Sequence, residues 1–370
     1  MMDARRPGAF ALTLAMFVAG AAASCTDTNN EPASTYRRVP VSSLSSPDAA
    51  APVPGYLWFA GSELNAFTHE QTLASSDKGP AVMVAPSLLT ATFHDLVFDH
   101  DGNVWTIPIM GDEIIRIPRS GLAGDIRPLA DLTIKSSALK SPQALAFDDA
   151  GNLWVVNYNG TSASIASIVR FDAVRGLAPG TPTLEPSATI GPGADKAMIS
   201  RFSQGSAVAF DTDGHLWFGS ASTVMRFDSP STLQGTVIAT PAAIISTGEA
   251  YASLVIDGVG SLWITATQTQ YFVLRYDSPG KLTGIVAEPP KARVALPTSS
   301  ATFAGGMAFD ATGSLWVSMS NQILKLSNPS NMIGNVSPGA DVVLGLPPTS
   351  YPDLASKLAF WPKPPGLPLF

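Results

Sequence analysis

Few residues of this chain have the types that chemistry at a site needs. The 370 residues include four histidines and one cysteine, and charged residues make up only 14%. The adjacent pair His94 and Asp95 stands out, because an imidazole beside a carboxylate can do acid–base work or recognise a polar ligand. The sequence has no Gly-rich phosphate loop, zinc-ligand spacing or nucleophile elbow. The chemistry therefore depends on where the fold places these residues.

The overall charge argues against a nucleic-acid partner. The net charge is −7, and basic residues are adjacent only at Arg5–Arg6 and Arg37–Arg38, whereas binding to a phosphate backbone needs clustered Lys and Arg. Apolar residues make up 45% of the chain, which is enough for a large core. Because one cysteine cannot form an intrachain disulfide, burial and strand pairing must hold that core.

The amino-terminal segment predicts export. Arg5 and Arg6 precede an apolar stretch over residues 9–23 that is too short for a membrane span but suits a signal peptide. The sequence "AAASC" ends at Cys25 and resembles a bacterial lipobox, with Ala22 where a leucine is usual. We therefore expect residues 1–24 to be removed and Cys25 to carry lipid. The alternative is an ordinary signal peptide cut near Ala23.

The segment that follows predicts a flexible tether. It is rich in Ser, Pro, Ala and Asn and has no hydrophobic period, so we assign residues 25–54 to the tether. A lipidated Cys25 would hang the folded part from a bacterial membrane, on the periplasmic or cell-surface side. Without lipid the protein would be secreted.

A short phrase recurs along the rest of the chain. Examples are "VFDHDGNVWTI" from Val97 and "AFDTDGHLWFG" from Ala209, and the phrases repeat at intervals of about fifty residues. A period of this length, rich in strand signals, indicates a β-propeller with one blade per repeat. The phrases align on an aromatic or isoleucine: Phe98, Phe147, Phe210, Ile256 and Phe309.

Each phrase predicts a hairpin. Leu145, Ala146 and Phe147 alternate large and small, a period of two that predicts an inner strand. Asp148 and Gly151 then supply a turn, because Asp bonds its own backbone and Gly accepts a positive φ. A tryptophan opens the second strand, and we expect its indole to fill the wedge between neighbouring sheets. The five tryptophans are Trp105, Trp154, Trp217, Trp263 and Trp316.

The rest of each repeat predicts two further strands. The third strand carries a basic residue that we interpret as structural, lying over a sheet or forming an exposed pair with a turn Asp worth about 1 kcal/mol or less. A variable fourth strand is expected within stretches such as "TVIATPAAIIS" (236–246) and "ADVVLGLPP" (340–348). The basic residues are Arg116, Arg170, Arg226, Arg275 and Lys325.

The two chain ends predict a sixth blade. Residues 55–70, with Trp58, resemble second and third strands that lack a first strand. The carboxyl-terminal "SKLAFWPKPPGLPLF", with Phe360, resembles a first strand without its continuation. We therefore predict an all-β, six-bladed propeller over residues 55–370, whose last blade pairs a carboxyl-terminal inner strand with amino-terminal strands.

The pattern resembles a known group of propellers. The blade "AFDDAGNLWVVNYNGTSASIASIVRFD" is similar to blades of the SMP-30/gluconolactonase and NHL-repeat type. The resemblance covers residues 55–370 and implies a fold more than a function, because its residues make turns and blade cores. NHL modules mainly bind partners through one propeller face.

The resemblance also implies where a metal would bind. In SMP-30-like lactonases Glu, Asn and Asp hold a divalent metal four residues before the aligned position. Here those positions carry no carboxylate, so we predict no cofactor; Ca²⁺ or Mg²⁺ would be expected only for an enzyme with a different site. Related lyases use His and Glu near the axis, and only His94 matches. The six residues are His94, Gln143, Ser206, Ala252, Gly305 and Ser356.

The inner strands place two charges near each other. Asp95 and Lys357 occupy the same offset in neighbouring blades, so we expect them to face each other at the channel mouth beside His94. One interpretation is a polar cluster that binds a ligand or does acid–base work. The other, which we favour, is an ion pair that locks the closing blade to its neighbour.

Taken together, the sequence predicts a binding or scaffold module of the bacterial envelope, with a protein or small-molecule ligand at one face and a monomeric state. The alternative is a lactonase or lyase with a non-standard site, and we assign no catalytic residue. The predicted ligand-binding residues are His94, Asp95, Gln143, Asn157, Gln204, Tyr251 and Lys357.

Overall fold

The structure is a computed structural model of the chain. It describes residues 56–61, 63–84, 92–109, 111–122, 129–158, 165–220, 223–246, 250–267, 270–297, 304–346, 357–365 and 367. The predicted signal peptide, Cys25 and the tether lie outside these residues, and so does Ser356.

Six antiparallel sheets form the blades of a β-propeller, as predicted. The amino-terminal strands, which we assign to the closing blade, are β1 (Tyr56–Ala60), β2 (Leu64–Phe67) and β3 (Val82–Val84). Blade 1 contains β4 (Phe93–Phe98), β5 (Val104–Pro108), β6 (Glu113–Ile117) and β7 (Leu132–Lys135). Blade 2 contains β8 (Pro142–Phe147), β9 (Leu153–Tyr158), β10 (Ala166–Phe171) and β11 (Ala188–Gly191).

The remaining blades repeat this order. Blade 3 contributes β12 (Ala207–Phe210), β13 (Leu216–Gly219), β14 (Val224–Phe227), β15 (Gly235–Ile238) and β16 (Ala243–Ile245). Blade 4 contributes β17 (Ala250–Ile256), β18 (Leu262–Thr267), β19 (Tyr271–Tyr276), β20 (Gly284–Val286) and β21 (Ala292–Ala295). Blade 5 contributes β22 (Ala304–Phe309), β23 (Leu315–Met319), β24 (Gln322–Leu326), β25 (Gly334–Val336) and β26 (Val342–Gly345), and β27 (Leu358–Trp361) completes the closing blade.

Helices are short and lie in connections. The one α-helix of the described residues is α1 (Lys196–Arg201), and no helix among those residues is long and apolar enough to cross a membrane. Short 3₁₀ helices follow the third strand of each blade. They span Glu70–Leu73, Arg119–Leu122, Val174–Gly176, Pro230–Thr232, Pro279–Lys281 and Pro329–Asn331.

The turn aspartate of each complete blade organises both its hairpin and its tryptophan. In blade 1 one Asp99 oxygen accepts backbone N–H bonds from Asp101 and Asn103 at 2.9 and 3.0 Å. The other oxygen accepts from the indole N–H of Trp105 at 2.9 Å. Gly102 closes the turn with a φ of +84°. The predicted turn is therefore confirmed, and the same carboxylate also fixes the indole.

The tryptophans fill the wedge between neighbouring blades, as predicted. Each meets the aligned aromatic of the following blade, edge to face, with ring centroids 5.6–6.2 Å apart. At the remaining junction Trp217 packs in one cluster with Ile256. The ring pairs are Trp58–Phe98, Trp105–Phe147, Trp154–Phe210, Trp263–Phe309 and Trp316–Phe360.

The third-strand basic residues lie over the indoles of their own sheets, as one of the two predicted arrangements has it. Lys325 also pairs with the turn residue Asp310 at 3.1 Å, as the other has it. The four arginines are buried, however, which corrects the prediction of exposed pairs.

Arg170 is only 2% exposed and lies 5.5 Å from the Trp154 ring centroid. It donates to Asp172 at 2.7 Å and to the carbonyl of Ser231, in the 3₁₀ helix of the next blade, at 2.9 Å. A desolvated cation–π contact stabilises by about 2 kcal/mol. Because each arginine contacts the indole of its own blade and a carbonyl of the next, it links two blades. The equivalent contacts to the next blade are Arg116–Leu177, Arg226–Pro279 and Arg275–Ser330.

The outer edges of three blades carry a strand that the sequence did not predict. The stretch 236–246, predicted as one fourth strand, contains two: β16 is the fourth strand of blade 3, whereas β15 pairs in parallel with β11 of blade 2. β20 and β25 cross to the preceding blade in the same way. Adjacent blades are therefore hydrogen-bonded at the rim as well as packed at the axis.

The closing blade is assembled from both chain ends, as predicted. β27 pairs with β1 in antiparallel register, with Phe360 opposite Leu57 and Ala359 opposite Trp58. This matches Phe98 opposite Val104 in blade 1, so Phe360 occupies the aligned position. Beyond β27 the chain continues to Leu367, which packs in the cluster of Val255 and Phe309 between blades 4 and 5.

Removal of residues 356–370 should abolish cooperative unfolding. The deletion removes β27 and exposes the inner edge of β1 and the aromatic faces of Trp58 and Trp316. We expect loss of the melting transition in differential scanning calorimetry. A matched deletion of residues 368–370 should leave the transition within a few degrees, and an unchanged transition in the longer deletion would show that closure does not hold the ring.

Candidate functional site

The six inner strands define two ends of the central channel. Because they occupy equivalent positions in their blades, they run in the same direction. We call the end where these strands begin the mouth, and the opposite end, which carries the Asp-x-x-Gly turns, the hairpin face. His94 and Asp95 lie at the start of β4, and Lys357 immediately precedes β27, so the predicted residues lie at the mouth.

β-Bulges shape the start of the inner strands. In β4 the register shifts between Phe93 and Leu96, so that His94 and Asp95 together oppose one residue of β5. Similar shifts occur in β8 at Gln143, in β17 and in β22. A bulge bends the strand and re-aims its side chains. This feature, which the sequence pattern did not reveal, sets where the candidate residues point.

Asp95 connects three inner strands. Its carboxylate is 2% exposed and accepts from the backbone N–H of Leu96 at 2.8 Å and of Leu145, in blade 2, at 2.7 Å. The Lys357 ammonium lies 3.6 Å from the same carboxylate. Burial raises the pKa of Asp95 above its usual value, and Lys357 with the two N–H donors opposes that rise only in part. The expected proximity of the two charges is confirmed.

Small residues let the strands approach around this pair. Lys357 is 8% exposed, and a Cβ on Gly306 of blade 5 would lie 2.5 Å from the Cα of Lys357. At the same offset the other blades carry Ala144, Ala207 and Ser253, all buried. A buried pair bonded to backbone on both sides, in a ring of small residues, suits a lock between blades better than a reactive group. This supports the structural interpretation.

The other predicted residues are distributed around the mouth. His94 is half-buried, and burial lowers the pKa of its imidazole. The Gln143 amide donates to the carbonyls of Ser141 and Pro142 at 3.0 and 3.2 Å. Gln204 is exposed, with a positive φ of 52°. The side chain of Tyr251 lies outside the described residues. The structure therefore brings Asp95 and Lys357 together, and His94 lies next to Asp95 in the bulge of β4.

Asn157 has a structural position. It is fully buried in β9, where its side-chain carbonyl accepts from Lys140 N–H at 2.6 Å and its amide donates to the Ala138 carbonyl at 2.8 Å. Both ends of the side chain hold the turn that enters β8. Because it does not reach the surface of the mouth, we leave it out of the candidate site.

A group of possible metal ligands on the hairpin face was not predicted from the sequence. Asp211, Asp213 and His215 place ligand atoms within 4.8 Å of one another. One Asp211 oxygen, however, accepts from the N–H groups of Asp213 and His215, and the other from Trp217. Both oxygens of this carboxylate are therefore already hydrogen-bonded within the hairpin. The sequence feature that could have indicated this group is Asp-Thr-Asp-Gly-His at residues 211–215.

Comparisons with known proteins show similarity in fold. No family model matches the chain, and no curated protein matches it. A protein of unknown function from Bacteroides caccae is 11% identical, with a TM-score of 0.50 over 79% of this chain and 99% of that chain. Virginiamycin B lyase from Staphylococcus aureus is 14% identical, with a TM-score of 0.41 over 71% of this chain and 80% of that chain.

A chain of the nidogen/laminin complex is 12% identical, with a TM-score of 0.49 over 83% of this chain and 98% of that chain. At such identities similarity shows the fold alone. The Bacteroides caccae structure supports the β-propeller.

Replacement of Asp95 by Asn should change how stability depends on pH. Because the folded-state pKa of Asp95 is raised, the native protein keeps a proton that the unfolded chain has lost once the pH exceeds 3.8. The stability of the original protein should therefore fall, relative to the Asp95→Asn variant, as the pH rises above that value. Urea unfolding from about pH 4 to 8 measures this difference.

The exposed carboxylate of Asp213 provides the control for this experiment. An Asp213→Asn variant should follow the original protein closely over the same pH range. If the original protein instead gained stability relative to Asp95→Asn as the pH rose, Lys357 would outweigh burial at Asp95.

Proposed function

We propose that this protein is an exported binding module, anchored through lipid on Cys25, that takes a protein or small-molecule ligand at the mouth of the propeller. The observation that carries the proposal is that the Asp95–Lys357 pair at the mouth is structural and not reactive. Asp95 and Lys357 are buried and bonded to each other and to backbone. The described mouth also offers a ligand hydrogen-bonding side chains that are not committed to this pair, such as Gln143 and Gln204.

This set of side chains suits recognition better than hydrolysis. A hard divalent metal needs several carboxylate or carbonyl oxygens that converge. The described mouth positions that match the lactonase ligands carry no carboxylate; they are His94, Gln143, Ser206, Ala252 and Gly305. A lactonase or lyase remains the alternative function, and it would need catalytic groups from other loops. NHL-like binding requires only a shaped, polar face.

The position at which the chain enters the propeller shows which face the tether joins. β1 begins at Tyr56, which pairs with Trp361 at the carboxyl end of β27, so the chain enters the propeller at the hairpin face. A Ser/Pro/Ala-rich tether of about 30 residues spans roughly 30 Å on average. Attachment through Cys25 would therefore join the propeller at its hairpin face, at the end of the channel opposite the mouth.

Photo-crosslinking in the native bacterium tests the mouth. A photoreactive residue at Gln143 or Gln204 should give an adduct that intact-mass spectrometry detects, whether the ligand is a protein or a small molecule. Val259 is 82% exposed in a turn of the hairpin face and provides the control position. Adducts from Val259 alone, or from none of the three positions, would contradict the proposal.

Replacement of Cys25 by Ser tests the anchor separately. We expect the original protein to be recovered in the membrane fraction, with a diacyl or triacyl mass increase on the peptide that begins at Cys25. The Cys25→Ser variant should appear in the soluble fraction with the same melting temperature, because Cys25 lies outside the propeller. An unmodified Cys25 in the exported protein would contradict lipid anchoring.

A further inference from the structure

A cavity on the hairpin face lies far from the mouth residues. Its volume is about 330 Å³, within the range of small-molecule sites. It opens between the carboxyl ends of β4 and β27 and the first residues of the tail. The cavity is lined by Phe98, Asp99, His100, Ala359, Phe360, Trp361, Pro362 and Lys363.

Lys363 is an unusual cation in this structure. It is half-buried, and it forms no ion pair or hydrogen bond with the described residues. The buried Arg170 and Lys357, in contrast, each pair with a carboxylate. Loss of hydration lowers the pKa of Lys363, and the more distant Asp149 opposes this only in part. An anion in the cavity would supply the missing partner.

No other group of the lining already neutralises Lys363. The Asp99 carboxylate accepts four hydrogen bonds, from the backbone of Asp101 and Asn103 and from the side chains of Asn103 and Trp105. It is therefore committed to the hairpin. His100 is exposed and can donate a second hydrogen bond to an anion at the rim of the cavity.

The opposite wall is apolar and held in place. Trp361 stacks on Phe98 with ring centroids 5.2 Å apart and an interplanar angle of 19°. The guanidinium of Arg119 lies 5.8 Å from the same indole. A Cβ on Gly102 would lie 2.3 Å from the Trp361 ring, so the indole packs directly against the turn. An apolar ligand would therefore meet a pre-formed aromatic surface.

We propose that this cavity binds a small organic acid, with its carboxylate on Lys363 and its apolar body against Trp361 and Phe360. The site lies at the opposite end of the channel from the mouth, and the proposal does not depend on ligand binding there. The cavity admits a ligand the size of an arylacetate or a short fatty acid. Lys363 at one side of the lining and the aromatic wall at the other fix the direction in which it binds.

Calorimetric titration of the intact exported chain tests the site with indole-3-acetate and hexanoate as probes. Both acids should bind saturably. Their neutral analogues, indole-3-acetamide and hexanamide, should bind with an affinity lower by roughly tenfold or more, because a charge-assisted contact is lost. Binding of the acids should weaken as the pH rises and Lys363 loses its proton. Trp361, which is partly exposed, should report binding of hexanoate, which has no indole of its own, by a change in tryptophan fluorescence.

Variants locate the binding to this cavity. Lys363→Met should weaken binding of the acids roughly tenfold or more, whereas Lys363→Arg should retain most of it. Lys281→Met removes an exposed lysine from a 3₁₀ helix and should have no effect. Melting temperatures check that each variant is folded.

Three results would overturn the proposal. They are equal binding of acids and amides, unchanged binding in Lys363→Met, and failure of both acids to bind at millimolar concentration. If Lys363→Met does not fold, the comparison of acid with amide and the pH dependence in the original protein decide the question. None of these results bears on crosslinking at the mouth.

Discussion

The pairing of β27 with β1 is the interaction on which the rest of the structure depends. A propeller buries each blade's aromatic face against the next blade, so an open ring would expose Trp316 on one side and Phe98 on the other. Four ladder positions, from Tyr56–Trp361 to Phe59–Leu358, close this gap with the two ends of the chain. The same pairing brings Lys357 to Asp95 and builds the cavity beside Trp361, so both candidate sites exist only in the closed ring.

The buried charged side chains named above all have hydrogen-bond partners. The turn aspartates hold indoles, the third-strand arginines clasp the next blade, and Asp95 bridges three inner strands. In each case hydrogen bonds offset the loss of hydration, which is the condition under which a buried charge is tolerated. Lys363 departs from this pattern. This unpaired cation, rather than any sequence motif, is the reason for proposing a ligand in the hairpin-face cavity.

The two ends of the channel differ in chemistry. At the mouth Asp95 and Lys357 are buried and paired with each other. At the hairpin face an aromatic wall faces a cation whose carboxylate partner is missing from the described residues.

The sequence alone determined the blade. Alternation around Phe147, the Asp148–Gly151 turn and the period of about fifty residues encode local structure, because strand period and turn geometry depend on neighbouring residues. The matching offsets also paired Asp95 with Lys357. Only the tertiary structure decided that the arginines are buried, that Asn157 holds a turn and that β15 belongs to another sheet. The cavity beside Lys363 also depends on it, because burial and crossovers arise from contacts between distant segments that no local pattern records.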